Sequence, residues 1–311
     1  MQVGGSDTAD QLAGAARFFE RREEKYEVDR ATARLLQGEI ACRLPLFSYQ
    51  PGHPWTYVTT IYFDTKNRDF YHRAELHYDD NVKIRVKEYY YPTEIPLKAS
   101  GKENGESEQR TVWVGEDDPP RAGRTYQTMK HCFVELKQRS RGTVIKKRFA
   151  FPKADLGLLF NGQDIWPLLA KVTHPSEMGP LREIYHELQH YIARYPVEVT
   201  SIVNYRRTVY QKDENDLRVT LDDRLAVFPP LPGLYTQNDA LTAEVLGRPI
   251  RTSERVILEI KCPGQYPEWL RSALKAHSSE RLSKFTTSVR LLLGRHGAEP
   301  QRRGACGGPC S

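Results

Sequence analysis

The stretch VKIRVKEYYY, residues 82–91, alternates apolar and cationic side chains residue by residue. Side chains in a strand point alternately to opposite faces, so Lys83, Arg85 and Lys87 share one side while Val82, Ile84 and Val86 share the other. The pattern recurs downstream. CFVELKQR sets Glu135, Lys137 and Arg139 against Val134 and Leu136, and TVIKKRFAF sets Lys146 and Arg148 against Ile145, Lys147 and Phe149. DLRVTLD aligns Arg218, Thr220 and Asp222, and RVILEIKC aligns Arg255, Ile257, Glu259 and Lys261. One such strand is an ordinary solvated sheet face. Repetition over several strands is harder to place on a surface, because like charges directly opposed across a sheet destabilise it unless water or an anion separates them. The pattern therefore predicts cations turned inward around an elongated polyanion, with the apolar faces left for helices to cover.

Alternating runs at 22–28, 55–64, 82–91, 132–140, 143–151, 197–211, 216–222 and 255–262 predict the strands. The SRG turn between the runs at 132–140 and 143–151 implies antiparallel pairing, and no strand-helix-strand rhythm repeats. Helical spacing follows Asp29, a good N-cap, through Ala33, Leu36 and Ile40, and recurs near 164–171, 180–193, 266–276 and 284–294. The expected fold is α+β: an antiparallel eight-stranded tunnel barrel with helices packed outside and capping one end. It occupies residues 20–295, with Gly- and Ala-rich ends at 1–19 and 296–311 expected to be disordered. The polar excursion at 92–131 is expected to be a flexible flap, with TVWV as a possible short strand.

Composition narrows the function. The net charge of +6 arises from 46 basic and 40 acidic residues, so a basic site comes from placement and not from bulk charge. No stretch approaches the roughly 18 apolar residues of a membrane span, and the first residues lack a basic start followed by an apolar run, which predicts a cytoplasmic chain without a membrane segment. The five cysteines are scattered, and the CGGPC tail holding Cys306 and Cys310 lacks a second ligand pair, so neither a disulfide framework nor a metal site is expected there. His186 and His190 share a helix face without a third ligand and read as surface residues. Tyr89, Tyr90 and Tyr91 beside a basic strand read as barrel wall or rim, and nucleic acid is not an expected partner.

Glu135 and Glu259 on the cationic faces point to a divalent metal, which prefers oxygen ligands alongside phosphate. Each also reads as an internal salt bridge to a neighbouring lysine.

The ordered series EEKYEVD, TTIYFDT, VKIRVKEY, FVELKQR with VIKKRF, NYRRTVYQ with LRVTLDD, VILEIKC and RLSKFTTSV, spanning about residues 20–294, resembles the VTC domain, the polyphosphate polymerase module of the CYTH or triphosphate tunnel metalloenzyme superfamily. The resemblance implies a tunnel that uses ATP to extend inorganic polyphosphate and releases ADP, with Mn2+ or Mg2+ at its acidic end. It implies catalytic roles for Lys25, Arg85, Lys87, Arg207, Arg218 and Lys261, and phosphate binding by Arg73, Lys137, Lys146, Arg148 and Lys284. Glu259 would hold the metal, with Glu135 and Asp222 as further candidates. Pyrophosphate and triphosphate are further expected ligands.

Hydrolytic members carry E-x-E-x-K on the first strand. Here Arg21 stands at the first Glu, leaving Glu23 and Lys25, which counts against water activation between two metals. Arg206 and Arg207 point to opposite faces, so a bulge would swap their roles. The alternatives are a tripolyphosphate or nucleoside triphosphate hydrolase, and a non-catalytic polyphosphate or inositol-phosphate sensor.

Overall fold

A computed structural model describes residues 22–92, 107–110, 126–141, 143–213, 217–235, 241 and 243–296. Eight long strands follow the predicted alternation: β1 (Arg22–Val28), β3 (Thr56–Thr65), β4 (Asp80–Pro92), β7 (His131–Ser140), β8 (Thr143–Pro152), β9 (Val197–Gln211), β10 (Arg218–Phe228) and β12 (Val256–Cys262). They pair antiparallel in the path β1-β12-β10-β9-β3-β4-β7-β8. The short strands β2 (Leu46–Phe47) and β11 (Arg251–Thr252) lie against β9 and β10.

The path curls until its ends meet. Glu23 of β1, at one end of the strand order, and Lys137 of β7, next to the other end, approach to 3.9 Å. Among the described residues no ladder joins β1 to β8; the seam is occupied instead by the chain at 280–283. The Glu280 amide donates to the Lys25 carbonyl at 2.8 Å, and the Ser283 hydroxyl meets Lys83 Nζ at 3.1 Å on the facing wall.

Helices cover the apolar faces as their periodicity predicts. The helix α1 (Arg30–Ala41) starts where the Asp29 carboxylate accepts from the Thr32 amide, and it buries Ala33, Leu36 and Ile40. With α7 (Glu268–Leu274) it packs Leu36, Ile40, Leu270 and Leu274 on Tyr26, Leu258 and Ile260 of β1 and β12. A larger core lies under α3 (Leu156–Phe160), α4 (Trp166–Val172) and α5 (Met178–Arg194), whose Ile184, Tyr185, Leu188 and Ile192 meet Ile84, Val134, Leu136 and Phe149. The short α6 (Ala243–Leu246) contributes Leu246 to that core. The last helix, α8 (Lys284–His296), closes one end, with Phe285 5.2 Å from Tyr62 and Ser288 bonded to Ser201 at 2.7 Å.

Two features depart from the sequence reading. A helix, α2 (Asp69–Leu76), follows β3 where none was expected, and Asp64 explains it: its carboxylate accepts from the amides of Phe70 and Tyr71, both at 2.9 Å, satisfying donors that the helix start leaves open. The 92–131 excursion contains two strands, β5 (Ser107–Arg110) and β6 (Tyr126–Met129), which pair with each other and extend the edge of β4 at Tyr90↔Thr128. TVWV, Arg21, the two expected disordered ends (His296 excepted) and the CGGPC tail lie outside the described residues.

Candidate phosphate tunnel

The register stacks the inner-face residues into rows. Lys83, Lys137 and Lys146 are direct neighbours across β4, β7 and β8, and Arg85, Glu135 and Arg148 form the next row. On the facing wall Glu23, Lys261 and Arg218 are aligned across β1, β12 and β10, followed by Lys25, Glu259 and Thr220. Asp222 of β10 stands opposite Arg207 of β9. Thus Lys25, Arg85, Lys87, Lys137, Lys146, Arg148, Arg207, Arg218, Lys261 and Lys284 are brought together with Glu135, Asp222 and Glu259 on one concave face.

The carboxylates are held by cations. Arg85 Nε and Nη2 both reach one Glu135 oxygen, at 2.7 and 2.6 Å, with Lys87 Nζ at 3.7 Å. Burial would raise the Glu135 pKa, but Lys87 and Arg85 hold it well below the usual carboxylate range. Its other oxygen, Oε1, is buried without a hydrogen-bond partner. Arg207 grips both Asp222 oxygens in a fork at 2.6 and 2.7 Å, and Lys284 Nζ adds a contact at 2.6 Å. Against the opposing effect of burial, these cations bring the Asp222 pKa down to about 2.

The lysine row is different. Burial first, and then the charges of Lys137, Lys25 and Arg85, depress the Lys83 pKa to about 7. Lys146 also falls to about 7, chiefly through burial, with Glu135 pulling the other way. Lys137 is lowered to about 8 by burial, although Glu23 opposes the shift. Among the described residues no carboxylate lies within ion-pairing distance of Lys83 or Lys146. Lys87 is pushed far below the ordinary lysine value, mostly by burial.

One expectation changes. Arg73 stands apart from the inner cluster: it sits on α2 with its guanidinium 2.6 Å from Asp80, and its side chain is 47% exposed. The i+3 and i+4 geometry of a helix turns it away from the strand pattern that aligned the other cations. The adjacent arginines do not swap, since Arg207 faces inward while Arg206 pairs outward with Asp223 and lies 5.4 Å from the Trp55 ring.

A metal fits one part of the tunnel better than the others. Among the described residues no group of three or more His, Cys, Asp or Glu side chains is placed to hold an ion alone. Glu23 and Glu259 share Lys25 (3.1 and 4.0 Å) and Lys261 (3.9 and 2.8 Å), so two carboxylates converge on the same pair of cations. Glu259 and burial push the Glu23 pKa up, yet Lys137, Lys261 and Lys25 bring it to about 2, so it is ionised at neutral pH. Two carboxylates completed by phosphate oxygens suit a small divalent cation. Asp222 has both oxygens engaged by Arg207 and Lys284 and offers less. Glu23 was visible on the first strand but not among the expected ligands.

Two other residues at the site carried no usable sequence signal. Tyr49, in the loop after β2, bonds its hydroxyl to Arg218, and Ser283 reaches Lys83 from the seam. Their placement depends on how loops cross the tunnel, which strand periodicity does not encode.

A curled antiparallel sheet with cations on its concave face, carboxylates among them and a helix across one end defines a tunnel-like fold with a cationic interior. The family model described as VTC domain matches residues 20–117 and 102–293, and the chain belongs to that family, which ties it to polyphosphate and triphosphate chemistry of the phosphotransfer kind. Among solved structures it is similar to the PH1819 protein from Pyrococcus horikoshii OT3, at 13% identity and a TM-score of 0.36, covering 88% of this chain and 99% of that one. PH1012 from the same organism aligns at 12% identity and a TM-score of 0.35, covering 87% and 98%. Similarity of that degree carries no functional argument. No match is found among curated proteins.

Proposed function

We propose that the protein is an ATP-dependent polyphosphate polymerase, transferring the γ-phosphoryl group of ATP to the end of a growing polyphosphate chain. The observation that supports this best is the in-register row Lys83, Lys137 and Lys146, lysines set side by side across three strands, whose mutual repulsion an extended polyanion would relieve. A terminal phosphate oxygen of the chain attacks the γ-phosphorus, the bond from that phosphorus to the β–γ bridging oxygen breaks, and ADP leaves with the electron pair. The attacking oxygen is anionic at neutral pH, so no general base is needed, and positioning and charge stabilisation supply the catalysis.

In this reading Arg85, Arg207 and Arg218 fix phosphate oxygens through their planar forks, and Lys25, Lys87 and Lys261 neutralise charge as it moves to the bridging oxygen. Lys137, Lys146, Arg148 and Lys284 hold the chain along its path. Glu259 with Glu23 would hold Mn2+ or Mg2+, which lends further positive charge to the phosphates when bound. Asp222 keeps Arg207 and Lys284 in place, and Glu135 does the same for Arg85.

The test is incubation of the purified protein with ATP and Mn2+, resolving ADP, free phosphate and long-chain polyphosphate. Polyphosphate and ADP in step are expected. Free phosphate without polymer overturns the reading in favour of hydrolysis, and tight polyphosphate binding without ATP turnover overturns it in favour of sensing.

A further inference from the structure

We infer that the nucleoside end of the substrate docks at an aromatic mouth formed by Tyr49, Tyr89 and Phe133, so that the phosphates run inward from Arg148 and Arg218. The inference rests on the ATP-using reading above and assigns the direction in which ATP lies. Along the inner face of β4 the residues run Lys83, Arg85, Lys87 and then Tyr89; along β7 they run Lys137, Glu135 and then Phe133. Lys87 and Phe133 are cross-strand neighbours, so both strands change from charge to ring at the same end.

Tyr49 completes the ring cluster from the loop after β2. Its ring centroid lies 6.4 Å from Tyr89, and Tyr89 lies 5.5 Å from Phe133. Tyr49 and Tyr89 remain partly exposed. Each flank of the cluster carries an inner-face arginine, Arg148 at 5.0 Å over Phe133 and Arg218 at 5.7 Å over Tyr49. A nucleotide presents the complementary pattern, a flat π surface with phosphates a short distance away. Base stacking on aromatic side chains needs no particular hydrogen-bond code, which suits a cluster of rings flanked by arginines.

The Tyr49 hydroxyl accepts a hydrogen bond from Arg218 Nη2. A phosphate arriving there would displace it and release the ring for stacking. At the other end of the tunnel the described residues offer no equivalent surface: Phe285 packs on Tyr62, and Tyr78 is already engaged by Arg139 and Arg281 at 4.6 and 4.7 Å.

The test is calorimetric titration with ATP and with tripolyphosphate at fixed Mg2+, for the wild-type chain, Tyr49→Ala and Tyr49→Phe. Tyr49→Ala is expected to weaken ATP binding by roughly tenfold while tripolyphosphate stays within about threefold, and Tyr49→Phe keeps the ratio of the two affinities near wild type. Equal losses for both ligands in Tyr49→Ala would show that Tyr49 only positions Arg218, which overturns the mouth and leaves the phosphate tunnel standing. Failure of the wild-type protein to bind tripolyphosphate overturns both. Saturation-transfer NMR on the wild type gives an independent reading: transfer to adenine H2 and H8 exceeding that to the ribose protons is expected, and bound ATP with no transfer to the base sinks the inference.

Discussion

The two walls of the tunnel solve the problem of buried charge in opposite ways. On the wall made by β1, β12, β10 and β9, cations and carboxylates interleave: Lys25 and Lys261 with Glu23 and Glu259, Arg207 and Lys284 with Asp222. On the wall made by β4, β7 and β8, the Arg85–Glu135 pair is followed by a row of lysines in register. The first wall is close to balanced within itself, while the second is balanced only when something anionic arrives. One wall is thus a preorganised frame and the other a charged surface whose free energy falls on binding, and each comparison below probes that division.

The largest effect is expected on the balanced wall. Asp222 is fully buried between Arg207 and Lys284, so Asp222→Ala leaves two cations without their partner. It should cost about 3 to 5 kcal/mol of folding stability, read from urea unfolding. A loss below about 1 kcal/mol would mean that water or another group takes over the carboxylate's role. Next comes Arg218, whose Nε is buried without a hydrogen-bond partner and so stands ready for an incoming oxygen. Arg218→Ala should cost about 2 to 4 kcal/mol of transition-state stabilisation, measured as kcat/KM for polyphosphate formation, and near-normal synthesis would remove it from the catalytic set.

How much of this division was legible in the sequence depends on whether strand parity encodes it. The eight long strands, the inward faces of Lys83, Arg85, Glu135, Lys146 and Glu259, and the antiparallel turn at Ser140–Thr143 all follow from period-two alternation and turn chemistry. What alternation does not carry is which strands face each other across the tunnel. The approach of Glu23 to Lys137 joins residues far apart in strand order and depends on the curl of the whole sheet. Arg73 was aligned with the tunnel by its motif, yet Asp64 caps a helix there and turns its guanidinium to Asp80. Tyr49 and Ser283 lie in loops with no periodicity to read. Asp64, within the TTIYFDT segment, therefore serves the fold by capping α2.

The lysine wall should respond with the opposite sign. Replacing Lys83 and Lys146 together with methionine removes the two lysines that stand on either side of Lys137 in the row, so the ligand-free protein should gain on the order of 1 kcal/mol in stability. Its thermal midpoint should then rise less than wild type on adding tripolyphosphate. Loss of ligand-free stability in that variant would mean the lysines are neutralised by groups on the facing wall.

Proton linkage gives a gentler test of the same wall without mutation. Lys83 and Lys146 release their protons near pH 7 in the folded protein, whereas an unfolded chain keeps them to an ordinary lysine value of 10.5. Between those limits the unfolded state binds more protons, so the ligand-free protein should become more stable as pH rises from 7 toward 9. Polyphosphate needs the lysines charged, so its affinity should fall over the same window. Stability that is flat or falling across it would remove the claim that the folded protein lowers the pKa of these lysines.

The smallest effect belongs outside both walls. Lys147 is the sequence neighbour of Lys146, but parity turns it to the outer face of β8, where it pairs with Glu187 of α5. That pair is partly solvated, so Lys147→Ala should cost no more than about 1 kcal/mol of stability. Tripolyphosphate affinity should be unchanged, because the substituted group does not reach the tunnel. Adjacent lysines differing by one position thus separate the two faces of a single strand, and equal effects of Lys146→Ala and Lys147→Ala on phosphate binding would contradict the placement of the cationic row.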